Sequence, residues 1–225
     1  MMELMPFILF GLAFAAVVVV IVVRGRASRA ARLQRLVEMG FSPVPEEKET
    51  LVEKITWLEN NAEYRYSVAQ PTKAILSGKE VYFYQKSRHR SGSIYAAEEL
   101  LIPLSRPSSE GLMLVVKPSG IPAGTVTKLI GAVATGAWDS QPDDLAKLAV
   151  PVDLQGTNLV GALGPAGFSL YDLIDATTLS QMLGAGDCGA LIVLCRGELC
   201  SLSSPSVQMP LELEKVTPFL RDLLR

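Results

Sequence analysis

Histidine occurs once in these 225 residues, as His89, and cysteine three times, as Cys188, Cys195 and Cys200. A structural zinc site takes four Cys or His ligands, and here the fourth would have to be a histidine about a hundred residues from the cysteines, so zinc is not expected. An odd cysteine count also departs from the paired framework of small secreted domains, and the thiols are expected to be reduced and mostly buried. A basic excess is lacking as well. The net charge is −2, which argues against general nucleic-acid binding. No Lys or Arg precedes the first apolar run, where a secretory signal carries its positive charge.

That run is the strongest feature present. Residues Leu4 to Val23, LMPFILFGLAFAAVVVVIVV, hold no charge. As a helix they extend about 30 Å, the thickness of a bilayer's hydrocarbon core. Glu3 stands before them, and Arg24, Arg26, Arg29, Arg32 and Arg35 follow. Basic residues stay on the cytoplasmic side, so the expected topology is an uncleaved single-pass anchor, N-terminus outside and C-terminal domain cytoplasmic. The same arginines are candidates for headgroup or partner contact. Gly11 and Ala15 are four apart within the span, a spacing that lets a second helix approach closely.

Past the anchor, Leu33, Leu36 and Val37 recur at helical spacing and Gly40 is a stop. A second helix starts at Pro45, with Glu46, Glu47 and Glu49 at its positive end and Leu51, Ile55 and Leu58 as its apolar stripe. The block from about 64 to 117 reads as an antiparallel meander. TKAILSGKEVYFYQK is a hairpin, and AEELLIPL and GLMLVVKP are strands separated by a turn at SRPSSE. Residues 117–151 are rich in Gly, Pro and small side chains, with a short helix expected around 128–134 and a strand at AVPVDL. Ser169 and Asp172 have capping-box spacing for a helix reaching Leu183. ALIVLCRGELCSLS reads as strand, tight turn at Arg196-Gly197, and strand. A final helix shares Leu213, Val216, Leu220 and Leu224 on one face, and Pro218 should kink or restart it with Thr217 as cap.

Three stretches are candidates for chemistry. KSRHRSGS gathers Lys86, Arg88, His89 and Arg90, a basic cluster suited to phosphate, lipid headgroups or a partner. Beside Gly and Ser, such charge is most simply the solvated tip of a hairpin. The series Gly161, Gly164 and Gly167 lacks the close first pair of a dinucleotide fingerprint, and Pro165 interrupts it. Asp187 and Cys188 lie in GAGDCG without a cationic activator nearby in sequence, so a turn feeding a buried strand is the simpler reading.

The pieces Arg32 to Phe41 (R-x-x-R-L leading to GF) and Leu76 to Tyr84 (LSGKEVYFY) resemble a group of bacterial single-pass membrane proteins. That resemblance implies an anchored cytoplasmic α+β domain and brings no catalytic residues with it. The expected fold is therefore α+β, with antiparallel strands and flanking helices behind a single transmembrane helix. Its parts are an anchor (1–24), juxtamembrane and amphipathic helices (25–60), a β-rich lobe (61–117), a connector (118–148) and a C-terminal α/β lobe (149–225). One domain or two small lobes both stay open. The expected function is non-enzymatic: an accessory or scaffolding subunit docking on a larger membrane complex, without cofactor, metal or nucleic acid. Its partners would be the bilayer and other subunits of that complex. The alternative is a membrane-tethered sensor binding an anionic ligand or headgroup through residues 86–93.

Overall fold

The computed structural model describes residues 30–120, 141–205 and 210–224, with the side chains of 105–109 and 222 left aside. No helix among these residues is long and apolar enough to cross a membrane. The expected span, Gly11 and Ala15 within it, Arg24, Arg26 and Arg29 after it, and the short helix around 128–134 lie outside the described residues. The chain divides into two compact units, 1–41 and 42–225.

In the first unit, α1 covers 30–38 and carries Arg32 and Arg35. It ends as the sequence predicts. Gly40 takes a φ of +91°, its N–H reaches the Val37 carbonyl at 2.9 Å, and the Phe41 N–H reaches Leu36 at 2.9 Å. This pair of bonds is the Schellman closure, which needs a left-handed residue where glycine has no Cβ to strain. Leu36 and Phe41 are both buried.

Among the described residues, the second unit is one antiparallel sheet of seven strands with helices packed on it. Its strands are β1 (Ser42–Pro43), β2 (Arg65–Leu76), β3 (Lys79–Arg90), β4 (Ser93–Val116), β5 (Ala146–Lys147), β6 (Leu159–Gly164) and β7 (Leu191–Ser203). The order is β1-β2-β3-β4-β6-β5, and β7 also pairs with β4. β4 is the spine. One of its edges carries β7 along most of its length; the other carries β3 over its first part, Ser93 to Leu101, and β6 over its last four residues, Met113 to Val116. The sheet therefore continues across both sides of segment 118–148, and residues 42–225 form one unit instead of two lobes.

The β2–β3–β4 meander matches expectation, but the turns are tighter. Ser77-Gly78 and Ser91-Gly92 each form a two-residue loop with positive φ at both positions, 50° and 77°, then 44° and 83°. This is the hairpin turn whose twist matches the flanking strands. The helix α2 (Lys48–Glu59) runs from a first turn started by Pro45 to a left-handed cap at Asn60. Leu51, Ile55 and Leu58 are fully buried and join one core with Tyr84, Leu101, Met113, Leu163 and Leu194. Burying each such side chain stabilises by about 1.5–3 kcal/mol.

Four local expectations are corrected. SRPSSE is no turn between strands; β4 runs through it, and its ladder to β7 is merely irregular from Pro103 to Leu112. AVPVDL is not a strand. Pro151 opens a 3-10 turn over Val152–Leu154. The helix from Ser169 breaks into α3 (Leu170–Leu173) and α4 (Ala176–Gly184), because Ile174 is extended and Asp175 caps afresh, accepting from the Thr178 N–H at 3.0 Å. α5 (Leu213–Leu223) continues through Pro218, and the Thr217 hydroxyl donates to the Leu213 carbonyl instead of capping a new start.

Candidate functional site

The register of the sheet builds a polar row across its centre. Tyr84 on β3 pairs with Glu99 on β4, and Glu99 pairs with Ser203 on β7. Residues directly opposite one another share a face, so all three side chains meet. The Tyr84 hydroxyl donates to Glu99 Oε1 at 2.6 Å, and the Ser203 hydroxyl donates to Oε2. Lys86 is two residues along β3, on the same face, and its ammonium lies between Glu99 and Glu59 at the end of α2. Lys86 is 3% exposed and Glu99 is 0% exposed.

The electrostatics follow from that geometry. Burial pulls the Lys86 pKa down, but the charges of Glu59 and Glu99 outweigh it and hold the lysine's pKa above its ordinary value. Burial pushes the Tyr84 hydroxyl well up, with the Glu99 charge adding to it. A void of about 20 Å³ touches Glu59, Lys86, Ser201 and Ser203, room for roughly one water. Ser201 Oγ and the Tyr66 hydroxyl are buried with no hydrogen-bond partner among the described residues. The cluster holds its charges closed against one another, and its chemistry is that of a structural ion network.

The basic stretch of the sequence is thereby redistributed. It is not a loop; β3 extends to Arg90, and the solvated tip is Ser91-Gly92 alone. Lys86 is a correction in full. It is a core cation, out of reach of any headgroup, because alternation along β3 turns it inward with Tyr84. Arg88 and Arg90 both lie over the Tyr64 ring, 5.9 and 5.6 Å from its centroid, and Arg90 pairs with Glu63 at 2.7 Å. His89 faces the opposite way, with its Nε2 and the Ser67 hydroxyl 3.1 Å apart in a hydrogen bond. The sheet thus divides the four residues between its two faces and brings no one site together from them.

Sequence reasoning passes over the two carboxylates next to each other in AEELL. Glu98 is buried like Glu99 but on the other face. It accepts from the Leu211 N–H at 2.9 Å and so fixes the entry to α5. The signal is there to be read, since two acids between AA and LLI sit badly in an apolar strand unless both find partners.

A second feature is open. A groove of about 480 Å³ runs between the 3-10 turn at Val152–Leu154, α4 and the turn at Ser119 that follows β4. Leu154, Leu179 and Leu183 contribute its apolar lining, and Asp153, Asn158 and Asp187 its polar groups. Asn158 is the brace. Its side-chain amide donates to Ser119 Oγ at 2.8 Å and to the Leu183 carbonyl at 3.3 Å, while its backbone carbonyl accepts from the Lys117 N–H at 2.8 Å. The Tyr171 hydroxyl donates to Asp153. Val152, 80% exposed, and the half-exposed ring of Tyr171 stand beside the groove. Gly161 and Gly164 are strand residues of β6. A Cβ on Gly164 would fall 2.5 Å from Leu173, so this glycine serves packing and not a phosphate.

No family model matches the chain, and no curated relative does. Among solved structures, the chain is similar to the crystal structure of the mycobacterial trehalose monomycolate transport factor A, TtfA, with a TM-score of 0.36 and 8% identity. That similarity covers 78% of this chain and 95% of the other.

Proposed function

We propose that this chain is a non-enzymatic accessory subunit, tethered to the membrane by its N-terminal apolar run, whose sheet domain docks on a larger membrane assembly from the cytoplasmic side. The observation that carries the reading is the groove at Leu154, Leu179 and Leu183, open and apolar-lined, with Val152, the chain neighbour of its Asp153, standing almost free in solvent. Exposed apolar groups beside a concavity with a few placed polar groups suit a protein partner. Asp153 and Asp187 give that groove acidic walls, so the segment it takes is apolar with a basic residue. The groups first in line for catalysis point the same way: Lys86 is locked between two carboxylates, and His89 is engaged by Ser67.

The test is purification of the full chain from its native membrane in mild detergent, beside a variant carrying Val152→Asp and Tyr171→Ala. A co-purifying membrane protein is expected with the wild type, lost with the variant, while both melt at the same temperature. A wild-type chain that comes out alone, or a partner retained equally by the variant, would refute the reading. The alternative, an anionic ligand held at residues 86–93, loses its central cation to the core. It predicts vesicle binding that weakens when Arg88, His89 and Arg90 are neutralised together.

A further inference from the structure

β7 contains an arrangement that its position within one strand does not lead one to expect. The Sγ atoms of Cys195 and Cys200 are 2.8 Å apart. Five residues of extended strand span about 16 Å, and alternation would send these two side chains to opposite faces. The chain must therefore fold sharply between them. It does so at Gly197, whose φ is +53°, opposite the stretch of β4 where the ladder loses its register. Cys195 still pairs with Leu112 and Cys200 with Ile102, so both strands turn the corner together.

The corner is buttressed from outside. The Arg196 guanidinium donates to the Leu58 carbonyl at 3.1 Å and to both oxygens of Asp144 at 2.7 Å. A Cβ on Gly197 would lie 2.7 Å from the Trp57 ring. The thiols, 1% and 0% exposed, face inward from it. Cys188, the third thiol, is buried in its own 3-10 turn.

We propose that Cys195 and Cys200 form a reversible disulfide, a redox-modification site set at the corner of β7. A disulfide needs Cα atoms within about 7 Å and Cβ vectors that converge. Most of that condition is met before any oxidant arrives, because the sulfurs are already in contact. The oxidant is a small hydroperoxide, which can reach a buried pair as a protein oxidant cannot. Two S–H bonds break and one S–S bond forms. The two electrons reduce the peroxide O–O bond, and the two protons complete, with hydrogen peroxide, two molecules of water. Intracellular disulfides of this kind are transient and redox-sensing. Here the oxidised corner would be held rigid against α2, since Arg196 and Gly197 both contact its C-terminal turn.

The test uses the full chain in detergent, treated with graded hydrogen peroxide, then unfolded in excess alkylating reagent and mapped by mass spectrometry. Trypsin cuts after Arg196, so a Cys195–Cys200 bond joins two peptides that otherwise separate. The expected result is that joined species, two hydrogen masses lighter than the sum, with Cys188 fully alkylated and the thiols recovered by dithiothreitol. Cys188→Ser keeps the joined species, and Cys195→Ala or Cys200→Ala abolishes it. In a Trp138→Phe background, Trp57 emission shifts on oxidation and returns on reduction. Three alkylated thiols after treatment, a bond to Cys188, or over-oxidised cysteines without the joined species would each overturn the proposal. Protein unfolded in urea before oxidation is the control, and it should lose the preference for this pair.

Discussion

Replacing Lys86 with methionine leaves Glu59 and Glu99 facing each other in the core with no cation between them. Breaking a buried ion cluster by removing one member typically costs about 3–5 kcal/mol, so Lys86→Met should destabilise the protein by about that much in urea unfolding. A loss under about 1 kcal/mol, the range of a surface ion pair, would mean the lysine is solvated after all. Arg196 supports a second prediction. Its guanidinium holds the Asp144 carboxyl at about 2, below the usual 3.8, against the opposing push of burial. A folded-state value below the unfolded one means the pairing stabilises fully above pH 3.8 and fades as pH falls through about 2. The melting-temperature gap between wild type and Asp144→Asn should therefore be constant near neutrality and close between those values. A gap unchanged down to the acid limit would show that Asp144 acts without its charge. Neither role is visible along the chain. Charge identifies a residue as polar, but only register decides whether Lys86 meets solvent or meets Glu99, and register depends on strands more than ten residues away.

Elements show a different balance. α1, α2 and the meander are legible because their signals are local: a Gly40 stop, a Pro45 start, a stripe at helical spacing, and Ser-Gly between two β-rich runs. That same Ser-Gly signal recurs at Ser91-Gly92, where the surrounding charge in KSRHRSGS obscures it. The irregular parts are misleading where one strong local cue meets a tertiary override. Arg196-Gly197 does bend the chain, as a turn signal should, yet both arms stay on β4, so β7 is one strand with a corner. Gly186 is another such point. A Cβ there would lie 2.7 Å from the Lys117 carbonyl and from the Asn158 amide, the brace of the groove. Gly186→Ala should cost about 1–3 kcal/mol through overpacking, and it should disturb Ser119 and Asn158 first. Hydrogen exchange at the Ser119 amide, which bonds the Gly186 carbonyl at 3.0 Å, reports this directly. Unaltered protection with unaltered stability would show that the turn has slack.

At the scale of the whole molecule, the ion cluster is closed within the sheet and the groove is open to solvent. The α+β class with an antiparallel sheet is readable from composition and periodicity. The groove is not, because its walls come from residues 119, 153–158, 171 and 176–187, and no pattern in the chain marks them as neighbours. Val152 reads as part of a strand along the chain, when its exposure is what makes the groove a candidate for a partner. If the groove docks a basic, apolar segment, binding should weaken as salt rises, since both aspartates lie near solvent.

The spine strand also sets an order of events during synthesis. β2, β3 and the first half of β4 can pair as soon as they leave the ribosome, but the far edge of β4 awaits β7, which begins at Leu191. For the time it takes to translate roughly 75 residues, at about 5–20 per second, a long apolar edge stands open to any other nascent strand. A chain released at Ala190 should aggregate where the full chain does not, and folding of this protein should depend on a holding chaperone more than its modest size implies.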